Sequence, residues 1–273
     1  MLATGNKHNI NSMTVLTLRI ADEELSFSVP APRAQYQVVY ENYRVRKDIS
    51  MAANLREAFD VSELLKSGYR QVRVMIDAPV LLVPIDEYDK DAARKLYFYT
   101  YSCRETDEVL SCVLPNLESV AVFAINKDLF DVIQGHFEQA EYLPLCQPVW
   151  SYLHRRSFAG ARSKMFVYFH EHKVEVFSFR QNRFRFCNTF CTEHVSDMVY
   201  YILHAWQVCG FNNEKDELYL AGNLPDAAEL DRQLREFLQR VYAIRPTAEF
   251  NRAAMTRLKD MPFDLLTLYL QGR

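Results

Sequence analysis

Apolar and polar positions alternate along residues 13–20, through Val15, Leu16, Leu18 and Ile20. A second apolar run at 25–29 follows the acidic stretch Ala21-Asp22-Glu23-Glu24. Two such runs joined by a short polar turn predict a hairpin. Pro30 and Pro32 close the second strand, because proline has no N–H to donate to a ladder. A third strand around 36–46 precedes Ser50, a fitting N-cap for a helix carrying Leu55, Ala58, Phe59 and Leu65 and closed by Gly68. The run 71–83 holds Val72, Val74 and Ile76 and then the unbroken Val80-Leu81-Leu82-Val83, which predicts a strand covered on both faces. Strands are expected at 109–114 and 120–125, with helices opening near Asn126 and Pro148.

From Lys164 the order recurs. Residues 165–169, 174–179 and 183–190 read as three strands, joined by His170-Glu171-His172-Lys173 and by Gln181-Asn182. Val195, Met198, Val199, Ile202, Leu203 and Trp206 then fall at helical spacing, and Gly210 ends that helix. A strand at 217–221 leads through Gly222-Asn223-Leu224-Pro225 to a helix with Leu230, Leu234, Phe237, Leu238 and Val241. Strand, strand, strand, helix, strand thus occurs twice, from Thr14 and again from Met165, without repeated residue identities. A repeat of architecture is one reading, and chance recurrence of a common meander is the other.

A three-strand meander with helix and strand, occurring twice, resembles the actin-like ATPase fold of actin, hexokinase, the Hsp70 chaperones and bacterial pilus- and secretion-assembly proteins. More narrowly, the chain resembles a bacterial family of uncharacterised actin-fold proteins. The resemblance is carried by Ala78-Pro79-Val80-Leu81-Leu82-Val83-Pro84, Val122-Phe123-Ala124-Ile125-Asn126-Lys127 and Phe263-Asp264-Leu265-Leu266. It implies an α/β protein of two ribonuclease H-like lobes, 13–160 and 161–273, each a meander followed by helix and further strands. In active members of that superfamily, two hairpin turns hold the phosphates of ATP. Each has an acidic residue reaching the metal and glycines that let backbone N–H groups approach phosphate oxygens. Here the turns Ile20-Ala21-Asp22-Glu23-Glu24 and Phe169-His170-Glu171-His172-Lys173 lack glycine, and the first offers three acids with no cation. One glycine stands at the third expected element, Ala221-Gly222-Asn223. The resemblance therefore implies an interaction or assembly module with degenerate phosphate loops, no ATPase activity, no cofactor and a protein partner. The alternative it leaves is a divergent ATP-binding protein or kinase, with Asp22 or Glu23 on Mg²⁺ and Gly222 and Asn223 beneath the base.

Composition narrows the choice further. The 273 residues are 49% hydrophobic with 18 Phe and 16 Tyr, enough for a real core and against disorder. Only 7 are glycine, where average usage of ~7% would give about 19, and phosphate-cradling loops need glycine. The apolar runs 78–85 and 120–125 fall short of the ~20 residues a membrane helix needs, and 1–13 is polar, unlike a signal peptide. The six cysteines lie mostly in apolar strand or helix patterns, where a thiol acts as a small hydrophobe, so a cytoplasmic protein with reduced thiols is expected. Net charge −3 gives no global attraction for nucleic acid.

Several smaller constellations invite chemistry. His170 and His172, two apart, suggest metal ligands, against a solvated turn as the plainer account. Cys187, Cys191 and His194 supply only three ligands at an unrecognised spacing. Arg180, Arg183 and Arg185 interleave with Phe179, Phe184 and Phe186, as Arg44 and Arg46 do in the earlier strand, which suits single-stranded nucleic acid or a half-buried strand. No G-x-S-x-G, Walker A or H-E-x-x-H is present, so no metal or nucleophile site is assigned. The apolar segment 261–270 fits closure of the protein's own core better than a docking tail.

Overall fold

A computed structural model describes residues 14–102, 104–249, 253–258 and 260–271; Met13 and Cys103, used above, lie outside the described residues. Strands β1 (Val15–Ile20), β2 (Glu24–Pro30) and β3 (Val38–Arg44) form the first meander. Helix α1 (Met51–Val61) and the short α2 (Glu63–Lys66) cross to β4 (Gln71–Ile76), which lies parallel to β1. Ser50 caps α1, its Oγ accepting the Ala53 N–H at 3.2 Å, which satisfies one of the helix's orphan donors. Next come β5 (Leu81–Pro84), α3 (Lys90–Thr100), β6 (Glu108–Leu114) and β7 (Ser119–Ile125). Helix α4 (Lys127–His136), β8 (Gln139–Pro144) and α5 (Gln147–Ser157) complete this half.

The second meander is β9 (Lys164–His170), β10 (Lys173–Arg180) and β11 (Arg183–Cys191). It is followed by α6 (Val195–Val208), β12 (Glu217–Gly222), α7 (Ala227–Arg235), β13 (Val241–Ala243), α8 (Pro246–Glu249) and α9 (Phe263–Gln271). Two five-stranded sheets result, ordered β3-β2-β1-β4-β8 and β11-β10-β9-β12-β13, with the same parallel and antiparallel pairings. The remaining strands form a separate antiparallel sheet, β5-β7-β6.

Strand alternation decides what each face meets. Along β1, Leu16, Leu18 and Ile20 enter a core with α1 and α4, while Thr17 and Arg19 point to the opposite face. Along β9, Met165, Val167 and Phe169 meet α6 and α7, whereas Phe166 and Tyr168 join Trp150 of α5 and Phe263 of α9 in a core spanning both halves. Each fully buried side chain of this size contributes roughly 1.5–3 kcal/mol. The segment 261–270 does close the interior: Leu265 and Leu266 of α9 are buried against Val38, Met75 and Leu143 of the first half. Among the described residues, no helix is long and apolar enough to cross a membrane.

Three expectations are corrected. The helix expected to carry Leu65 and close at Gly68 ends at Val61, and Leu65 lies in the separate α2, N-capped by Ser62 and C-capped by Ser67. The run 71–83 is two strands in different sheets, because the chain leaves the ladder at Asp77-Ala78-Pro79, and β5 is half-buried rather than covered on both faces. The helix expected to reach Val241 stops at Arg235; Val241 pairs with Leu218 as β13, satisfying the open edge of β12. Helix α3 and strand β8 carry too little apolar periodicity to have been foreseen.

Candidate functional site

The β1–β2 and β9–β10 turns, far apart in sequence, meet tip to tip. Glu171 takes a left-handed backbone (φ 48°) and its carboxylate reaches the first turn, accepting the Asp22 N–H at 3.0 Å and the Glu23 N–H at 3.1 Å. Lys173 Nζ lies 2.8 Å from Asp22 Oδ2 and 2.8 Å from Oδ2 of Asp77, the residue that follows β4. His172 Nε2 is 3.1 Å from Glu23 Oε1, and Lys47 stands 3.6 Å from the same oxygen. Asp22 and Glu23 of the first turn are thus matched by bases of the second, while Glu24 accepts from Ser26, Tyr40 and Asn42.

Burial works against charge throughout this contact, and partners reverse it at three positions. Desolvation alone would raise Asp77, yet His170 and Lys173 hold its carboxyl well below the usual range. Desolvation would lower Lys173, yet Asp77 and Asp22 hold it charged, above its ordinary value. The hydrogen bond from His172 lowers Glu23, whereas burial raises Glu171. Asp22, Asp77 and Glu171 bring carboxylate oxygens within 4.8 Å of one another, and the Lys173 ammonium bonds two of the three.

At the end of β12, Gly222 has φ 93°, and a Cβ there would overlap the Phe169 carbonyl oxygen and the Tyr168 ring. Only glycine lets this strand end lie so close to β9, where the Asn223 N–H donates to Phe169 O at 3.0 Å. A cavity of about 740 Å³ opens here, with Arg19, Glu23, Glu171, Gly222, Asn223 and Phe263 among its walls. Glu23, Gly222 and Asn223 therefore line one space, while Asp22 turns to Lys173.

The other candidates disperse. His170 is buried, 3.4 Å from Asp77 Oδ1, while His172 is exposed, so the two do not share a face and the turn is docked rather than solvated. Cys187, Cys191 and His194 form no ligand cluster among the described residues. Arg183 pairs with Glu118 at 2.7 Å, and Arg185 bonds the Cys209 carbonyl and lies over the Phe211 ring. Phe179 and Phe184 turn inward, as a half-buried strand requires. Sequence reasoning overlooked Glu171, Lys173 and Asp77 as site residues. Its available signal was charge complementarity between Asp22-Glu23-Glu24 and His170-Glu171-His172-Lys173.

Solved structures carry the same architecture. A crystal structure from Bacteroides thetaiotaomicron, a protein with actin-like ATPase fold and unknown function, matches with TM-score 0.79 and 24% identity, covering 91% of this chain and 97% of that one. The PilM–PilN type IV pilus biogenesis complex matches with TM-score 0.53 and 12% identity, covering 96% of this chain and 99% of that one. The fold is the actin-like ATPase fold, a mixed α/β architecture. No curated protein matches the sequence. A family model described as "Protein of unknown function (DUF3822)" matches residues 4–241.

Proposed function

The chain belongs to the DUF3822 family of proteins of unknown function, and we propose that it works as a protein-interaction or assembly module without ATPase activity. The observation that carries this is the place of Glu171, whose carboxylate takes up the Asp22 and Glu23 N–H groups of the first turn. On the resemblance to active actin-fold proteins, turn N–H groups such as these approach phosphate oxygens. A phosphate arriving here meets a resident anion and two further carboxylates. Lys173, between Asp22 and Asp77, likewise occupies the position a metal would need between those acids. The phosphate loops on this reading are degenerate, and the lobes 13–160 and 161–273 are held by contacts of their own. The likeness to PilM, found in a pilus biogenesis complex with PilN, supports a protein partner by fold-level analogy. A cytoplasmic location belongs to the same proposal and is supported by Cys112, Cys146, Cys187, Cys191 and Cys209, which are free thiols among the described residues.

One observation favours the second reading, a divergent ATP-binding protein or kinase. The 740 Å³ cavity lies within the ~300–1,000 Å³ typical of ligand pockets, and Glu23, Gly222 and Asn223 line it. On that reading, Asp22 or Glu23 serves Mg²⁺ and Gly222-Asn223 lies beneath the base. Thermal unfolding in millimolar Mg-ATP separates the two. The module reading expects no shift, whereas binding at a hundredfold excess over Kd would add about 2.7 kcal/mol.

A further inference from the structure

A second, smaller cavity of about 190 Å³ adjoins the turn contact and shares His170 with it. Its apolar walls include Ala78, Pro79 and Val80, and it reaches the surface along β11, where Asn188 and Thr189 are exposed. Two buried polar side chains line it, and each keeps an atom without a hydrogen-bond partner among the described residues: Glu175 Oε2 and His170 Nδ1. Glu175 is 2% exposed, and its other oxygen, Oε1, already accepts the Trp150 Nε1–H at 3.1 Å and the weak Cys187 thiol at 3.8 Å. His170 is 4% exposed and turns its Nε2 to the Asp77 carboxylate.

Those partners fix what the free atoms offer. A carboxylate can only accept, so the His170 Nε2 beside Asp77 carries the hydrogen. Glu175 Oε2, when ionised, is an acceptor, and a buried carboxylate with no cation bonded to it is costly. Lys173 also lines the cavity, but its ammonium is shared between Asp22 and Asp77. The missing complement is a group with several N–H donors and a positive charge.

We propose that this cavity binds a small primary amine, its ammonium donating to Glu175 Oε2 and its apolar body lying against Ala78, Pro79 and Val80. A 150 Å³ apolar cavity takes up benzene, so a ligand of roughly six to eight non-hydrogen atoms fits. Burial pushes Glu175 up to about 7, which accords with a carboxyl that lacks a cation in the unliganded protein.

Calorimetric titration of the whole chain with benzylamine, benzyl alcohol and benzoate, matched in shape, tests this. The amine should bind at least tenfold more tightly than the alcohol, and benzoate should not bind. Equal affinities, preference for benzoate, or no binding of any at about 10 mM (a cavity holding water alone) would overturn the proposal. Glu175→Gln should bring the amine down to the level of the alcohol, and an unchanged amine affinity in that variant would also sink it. The wild-type series decides the matter even if that variant fails to fold.

Discussion

Asp77 and Glu175 are acids on the wall of one cavity, and their surroundings move them in opposite directions. Burial opposes ionisation of both, but Asp77 has His170 and Lys173 beside it and stays charged. Glu175 has an indole N–H and thiols, no cation bonded to it among the described residues, and is pushed up to about 7 from 4.5. Between those values the folded chain holds a proton that the unfolded chain has released. Stability due to Glu175 is therefore complete below about pH 4.5 and falls as pH rises through about 7. The loss is on the order of 3 kcal/mol at 1.36 kcal/mol per unit. Glu175→Gln keeps the shape and removes the titration. Urea unfolding from mildly acidic to mildly basic pH should show the variant gaining on the wild type by up to that amount. Parallel profiles would contradict the assignment.

At the scale of elements, α9 is held to both five-stranded sheets by polar contacts that its own sequence cannot disclose. Arg19 Nε lies 2.9 Å from Asp264 Oδ1, with side chains 4% and 0% exposed, and Tyr168 OH donates to Asp264 Oδ2 at 2.7 Å. Tyr269 OH adds a bond to Ser28 Oγ at 2.9 Å. Asp264→Ala leaves the guanidinium buried without its carboxylate, which costs about 3–5 kcal/mol. Chemical denaturation should register that loss, and adding Arg19→Met should recover much of it. A double variant no more stable than Asp264→Ala would argue against an uncompensated charge as the cause. The apolar side of this helix was legible, since Leu265 and Leu266 belong to a continuous hydrophobic segment. The partner of Asp264 was not, because Arg19 is 245 residues away and is the one charged position on β1. The meanders were readable for the same local reason: alternation and turn chemistry lie within a few residues. Strand β8, QAEYLP, was not, because its alternation spans only Gln139 to Tyr142 and its parallel partner β4 lies far back in the chain.

Across the whole molecule, the two halves touch at the turns through a carboxylate taken up by backbone N–H groups, an interaction with no pattern along either segment. Sequence showed the missing glycines at 20–24 and 169–173 and the opposed charges of those turns. It did not show that Glu171 bonds positions 148 and 149 residues away, since backbone donors carry no residue signature. If Glu171 stands in for an external anion, removing its carboxylate should expose a place for one. Glu171→Ala deletes two charge-assisted hydrogen bonds, partly exposed, and should cost about 1–3 kcal/mol. It also leaves the Asp22 and Glu23 N–H groups open beside Lys173, an arrangement that attracts oxyanions. Inorganic phosphate at about 10 mM should then stabilise the variant; a Kd near 1 mM corresponds to about 1.4 kcal/mol. The wild type, with Glu171 in place, should show no shift under the same conditions. Equal stabilisation of both proteins would mean that phosphate binds elsewhere. A shift in neither would mean that the turn N–H groups do not form an anion site, and the reading of Glu171 as a built-in occupant would fall.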